Sequence, residues 1–257
     1  MVMLVVALVA GAASALTFVT GFGLGTLLMP VFALFMPVER AVAATGVVHL
    51  LNSLLKFGLM GRRAHWPVVW AFGIPALLAS LLGAWWLMQL AAQPPLLTWA
   101  LGDRVLQVTA AKALIGVLLL VFVLCEWVPD WRALAVPAAY MPLGGVLSGL
   151  AGGISGMQGA LRSAFLARAG LERDAFVGTG AAIACLIDVS RVGVYARQLV
   201  QERASLDIAL LTVAVLAASA GTLIGRRYLE RLTMDRMRHV IAVLLLIMAV
   251  EMAAGLL

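Results

Sequence analysis

The chain has 257 residues, of which 64% are hydrophobic and only 12% charged, and its mean hydropathy is +1.08. Soluble domains carry roughly one-quarter charged residues, so this composition excludes a water-soluble globular protein and leaves an integral membrane protein. The net charge of +6 and the pI near 10.1 suggest nucleic acid at first sight, but in a membrane chain excess Arg and Lys fix orientation against the cytoplasmic leaflet, so no nucleic-acid partner is expected.

Apolar runs long enough to cross hydrocarbon, about 17–25 residues, set the order of elements. The first, 2–36, begins Met1-Val2-Met3-Leu4 without a basic residue or a small-residue cleavage site, and reads as a retained segment rather than a removable signal. It is broken by Thr20-Gly21-Phe22-Gly23-Leu24-Gly25-Thr26, and Pro30 removes a further helical hydrogen bond. The second run, 41–60, carries His49, Asn52, Ser53 and Lys56 at helical spacing, a polar stripe in apolar sequence. Such a stripe either glues helices or walls a substrate path, in which His49 is a candidate proton carrier. Runs 66–91 and 108–125 complete the first half.

The second half repeats the plan. Run 133–168 is broken by Gly152-Gly153-Ile154-Ser155-Gly156-Met157-Gln158-Gly159 and carries Arg162 just beyond the break. Run 175–198 holds Asp188 and Arg191, and the step Arg191-Val192-Gly193-Val194 matches Lys56-Phe57-Gly58-Leu59 of the first half. Runs 206–229 and 239–257 follow. The expected fold is an all-α polytopic membrane protein of two inverted repeats, each a glycine-broken hairpin plus three transmembrane helices. The first repeat is 1–128 and the second 133–257.

Charge placement favours hairpins that return to their side of entry. Six crossings then put Arg62, Arg63, Arg132, Arg168, Arg173, Arg226, Arg227, Arg231, Arg236 and Arg238 on the cytoplasmic side and leave only Arg40, Arg104, Arg197 and Arg203 outside. Full crossing by the broken segments strands Arg62 and Arg63 on the outer face. Trp66, Trp70, Trp85, Trp86, Trp99, Trp127 and Trp131 fall near span ends, as interfacial anchors do. Cys125 and Cys185 give neither a disulfide framework nor metal-ligand spacing, and both read as small core residues.

Two broken helices and two intramembrane cations describe a carrier whose site is built from unwound backbone at the repeat interface. A helix that restarts after a break presents unpaired amides and a positive dipole, which favour an anion. Gly23, Gly25, Thr26, Ser155, Gly156 and Gln158 are placed to contribute there, with His49, Asn52, Lys56, Arg162 and Arg191 as side-chain candidates. The breaks can alternatively mark close helix packing, Lys56 can snorkel, and Arg191 can merely neutralise Asp188 three residues earlier. His49 and Asp188 are the candidate proton-coupling pair. No metal, cofactor or nucleotide motif is present, and His49 with Asn52 is too sparse for an enzyme's nucleophile and base.

The glycine-rich first segment leading to Pro30, Ala43-Ala44-Thr45-Gly46 opening the second span, and a weaker copy from Gly144-Gly145 onward together resemble the TauE/SafE family of sulfite and organosulfonate exporters. Leu161-Arg162 stands where that family often has proline, which marks Arg162 as a candidate substrate selector. The resemblance implies a multi-pass transporter of the cytoplasmic (inner) membrane that exports small sulfur-containing anions such as sulfite, sulfoacetate or related sulfonates. With no nucleotide site, an ion gradient would drive it. An assembly subunit and an uptake permease for another anion are the competing readings.

Overall fold

The structure is a computed structural model that describes residues 1–21, 23–102, 104–127, 138–201, 207–228 and 234–256. Phe22, Trp131, Arg132, Arg203 and Arg231 lie outside the described residues, as do the side chains of Arg104, Cys125, Trp127, Arg197, Arg236 and Arg238.

The chain is helical apart from one hairpin. In order it forms α1 (Val2–Thr20), α2 (Leu24–Ala33), α3 (Val38–Met60), α4 (Trp66–Ala91), β1 (Leu97–Leu101), β2 (Arg104–Val108), α5 (Ala110–Trp127), α6 (Met141–Ser155), α7 (Gly159–Leu166), α8 (Arg173–Gln201), α9 (Ile208–Tyr228) and α10 (Met234–Ala253). Four helical stretches are long and apolar enough to cross a membrane, Val38–Arg63, Trp66–Ala91, Arg173–Ala196 and Ile208–Arg227; Val2–Phe18, Leu24–Ala33, Ala110–Leu124 and Met141–Ser155 are shorter apolar helices. Together with the family match reported below they make a multi-pass membrane protein. Its outward faces agree: Leu78, Trp85, Leu216 and Ile224 are exposed while Asp188 and Arg191 are fully buried, the reverse of a water-soluble protein.

Both breaks are made in the same way. Gly21 takes a left-handed conformation (φ 75°) and donates its N–H to Thr17 O, and Gly156 does the same (φ 79°) towards Gly152 O. The interval from Gly21 to Gly156 equals that from Lys56 to Arg191, so one register relates breaks and cations alike. Left-handed backbone costs any other L-residue about 1–2 kcal/mol, which is why glycine ends each arm. Pro30 does not break the chain: it sits inside α2, and the interruption lies upstream at Gly21–Gly23.

Residue contacts give the helix directions. Ser14 meets Asn52 and Thr17 meets Lys56, so α1 and α3 run parallel and α2 must return the chain between them. In the second half Gly152 lies beside Ile187 and Gly156 beside Arg191, which makes α6 and α8 parallel in turn. Across the halves α3 and α8 are antiparallel, with Gly46 against Val192, His49 against Asp188, and Met60 against Gly178. Two further pairs are exchanged reciprocally. A Cβ on Gly145, Gly149 or Gly153 of α6 would fall 2.1–2.4 Å from the carbonyls of Phe72, Ala76 and Ser80 in α4, and one on Gly221 or Gly225 of α9 would fall 2.0–2.3 Å from those of Gly11 and Ala15 in α1. Small residues let these backbones touch, the usual route to close helix pairs where lipid removes the hydrophobic drive.

The β1–β2 hairpin was not part of the sequence reading. Thr98, Trp99, Val105 and Val108 favour extended backbone, Gly102 supplies a turn at φ 60°, and the Trp99 indole donates to Ala254 O, tying the hairpin to the end of α10.

Candidate functional site

A polar pocket opens between the two halves. Thr17, Gly21, His49, Ser53 and Lys56 line it from the first, and Arg162, Ser163, Leu166, Phe176, Val177, Gly180, Ala181 and Ala184 from the second. About 440 Å³ of unfilled space lies within it. The end of α1 supplies Thr17, α3 supplies His49, Ser53 and Lys56 at successive turns, and α7 supplies Arg162 and Ser163.

Two cations face this space without a carboxylate. Lys56 donates to Thr17 Oγ1 at 3.1 Å and, among the described residues, pairs with no acid. Thr17 commits its own hydroxyl to the carbonyls of Ala13 and Ser14 in α1, so it meets Lys56 as an acceptor. Arg162 is only 5% exposed and donates from Nη2 to Gly21 O at 3.1 Å, while its Nη1 has no partner. The Ser163 hydroxyl beside it is also buried and unpartnered. Buried donors left unpaired cost about 1–3 kcal/mol each, more when charged, so the pocket is prepared for an acceptor.

Behind one wall lies a hub centred on Asp188. His49 Nδ1 is 2.5 Å from Oδ2, Gln158 Nε2 donates to Oδ1 at 2.8 Å, and Arg191 donates from Nε to Oδ1 at 2.9 Å. Because Nδ1 faces a carboxylate it carries the hydrogen, and Nε2 is left as the basic nitrogen of a ring that also lines the pocket. The hub joins α3 of the first half to α8 and the start of α7 in the second.

The sequence-derived candidates therefore divide. His49, Lys56 and Arg162 come together in the pocket. Arg191 does not line it: it is fully buried against Asp188, with its guanidinium beside Gly46 and Gly156. Asn52 serves as glue, its Oδ1 accepting from Ser14 at 3.1 Å and from Thr222 at 2.7 Å. Thr26 bonds back to Gly23 O, and Ser155 to Ala151 O, so neither hydroxyl points at the pocket. Gly25 is a packing position, since a Cβ there would stand 2.5 Å from Gly156 O; the two hairpins touch at this point. At Gly23 the φ of 128° demands glycine, but a Cβ would meet only Thr17 Cγ2 at 3.4 Å. Cys185 is a half-buried free thiol that does not line the pocket.

Thr17, Ser163 and Phe176 belong to the pocket and were not among the candidates. Thr17 stands one turn before the first break, and Ser163 directly follows Arg162, so proximity to those two features is the only signal the sequence offered.

The family described as Sulfite exporter TauE/SafE matches residues 4–252, nearly the whole chain. No curated protein and no solved structure matches.

Proposed function

This chain belongs to the sulfite exporter TauE/SafE family, and on that premise we propose that it is a secondary transporter exporting small sulfur-containing anions, sulfite, sulfoacetate or related sulfonates, across the cytoplasmic membrane. The observation that carries this reading is the pair of unpaired cations, Lys56 and Arg162, in one pocket walled by both halves. A site at the seam of two halves can be exposed alternately to either side when the halves rock.

The antiparallel course of α3 and α8, and the reciprocal contacts of α1 with α9 and α6 with α4, support two inverted repeats. In that arrangement the amino terminus is outside and residues 61–65 face the cytoplasm. His49 and Asp188 form the proposed proton-coupling pair: His49 Nε2 takes a proton from the pocket while Nδ1–H remains held by Asp188. Anion and proton then load the same cavity, and the imidazolium adds a third positive donor. The chemistry is binding and release, with no enzymatic step.

Counterflow of labelled sulfite in proteoliposomes tests the reading. Lys56→Met and Arg162→Met should each lower exchange at least about tenfold, in line with about 1.5–3 kcal/mol for a hydrogen bond to a charged group. Wild-type protein that inserts and gives no flux for any sulfur anion would favour an assembly subunit instead. Export or uptake is decided by whether cells expressing the protein lose or accumulate the labelled anion.

A further inference from the structure

We infer that the pocket selects a small dianion, sulfite or a short sulfonate bearing a second anionic group, over monoanionic and zwitterionic sulfonates of the same size. The inference rests on the pocket being the substrate site proposed above, and it follows from the site's charge and donor balance.

No described residue lining the pocket is acidic, whereas two, Lys56 and Arg162, are cationic. Asp188, behind the wall, is engaged by His49, Gln158 and Arg191, and its charge is matched by the Arg191 guanidinium 2.9 Å away. The hub is therefore electrically closed on its own, and it leaves both pocket cations uncompensated. Uncompensated charge in a low-dielectric interior costs several kcal/mol per ion, so a ligand carrying two negative charges restores neutrality and one carrying a single charge does not.

Hydrogen bonding points the same way. Lys56 spends one donor on Thr17 and Arg162 one on Gly21 O, which leaves the remaining ammonium protons, Arg162 Nη1 and Ser163 Oγ to be satisfied. A sulfite or sulfonate oxygen face is rich in acceptors and matches this set. An alkylammonium group finds cations and no carboxylate there, so taurine would be turned away by repulsion as well as by the lack of a partner. On the far side Leu166, Phe176, Val177 and Ala181 give apolar room for a short carbon link and no charged partner.

The test compares three two-carbon sulfonates that differ mainly in charge: sulfoacetate (dianion), isethionate (monoanion) and taurine (zwitterion). Binding is read as thermal stabilisation of the purified full-length protein in detergent, and transport is read separately as sulfite counterflow. Wild type should bind sulfoacetate about ten- to a hundredfold more tightly than isethionate, the range for one charge-assisted contact, and taurine least. Lys56→Met should bring sulfoacetate and isethionate within about threefold of each other, and Lys56→Arg should keep the preference. Equal binding of isethionate and sulfoacetate by wild type overturns the charge selection even where counterflow proceeds. The expected ranking without counterflow supports the selection and defeats the transport reading instead.

Discussion

The Asp188 hub gives the sharpest stability prediction. Asp188→Asn keeps the shape of the side chain but removes the charge that faces Arg191, leaving a fully buried guanidinium with no counterion. Breaking a buried pair from one side costs about 3–5 kcal/mol. At about 2–4 °C per kcal/mol for a chain of this size, the melting temperature in detergent should fall by about 6–20 °C. Arg191→Met should cost less, because Asp188 keeps His49 and Gln158, and a protonated His49 can replace the lost cation. The double variant Asp188→Asn with Arg191→Met removes both charges and should recover most of the loss. Melting curves of the two singles and the double form the cycle, and sulfite counterflow at equal pH on both sides of the vesicle is measured on each. Exchange in the double should recover with stability, since Arg191 lies outside the pocket. A double no more stable than the worse single would refute the pairing argument. Recovered stability without recovered exchange would return Arg191 to the substrate site.

Two other outcomes test the hairpins and the topology. Gly25→Ala should impair transport in a protein that still inserts, because the new methyl would lie 2.5 Å from Gly156 O and must push the hairpins apart; Gly156→Ala should add a cost of about 1–2 kcal/mol for its left-handed backbone, read as a lower melting temperature. Single cysteines in residues 61–65 and 226–239, placed in a Cys125→Ser, Cys185→Ser background, should both be shielded from an impermeant thiol reagent in whole cells. Labelling of only one of the two would break the inverted arrangement.

Much of the fold was legible because composition and glycine are local signals. The span 66–91 coincides with α4, and the first break falls at the glycines that marked it, since only glycine takes the left-handed turn at Gly21 and the φ of 128° at Gly23. The β1–β2 hairpin was not legible, because five-residue strands in a loop leave no long period to detect. The site was legible as a list of cations but not as an arrangement. Arg191 looked like the partner of Lys56 by repeat register, and Asp188 three residues earlier argued that it was neutralised; the spacing left both readings open. Only the packing of α7 against the first break brings Arg162 to Gly21 O and into the pocket, and a contact between residues so far apart has no trace in one sequence. Thr17 and Ser163 were hidden for a simpler reason. A single hydroxyl in apolar sequence most often bonds its own helix, as Thr17, Ser155 and Ser190 do here.

What ties pocket and hub together is His49, whose ring belongs to both. Arg191 holds the Asp188 carboxylate ionised, and the carboxylate fixes the hydrogen on His49 Nδ1, so the ring's remaining basic site is on Nε2. An anion entering beside Lys56 and Arg162 makes protonation of that nitrogen more favourable, and a protonated ring in turn strengthens hold on the anion; by linkage the two effects are equal in size. Arg191 therefore acts on the substrate without touching it. Its charge keeps Asp188 from abandoning the histidine, and the histidine joins proton to anion across a seam that both halves share.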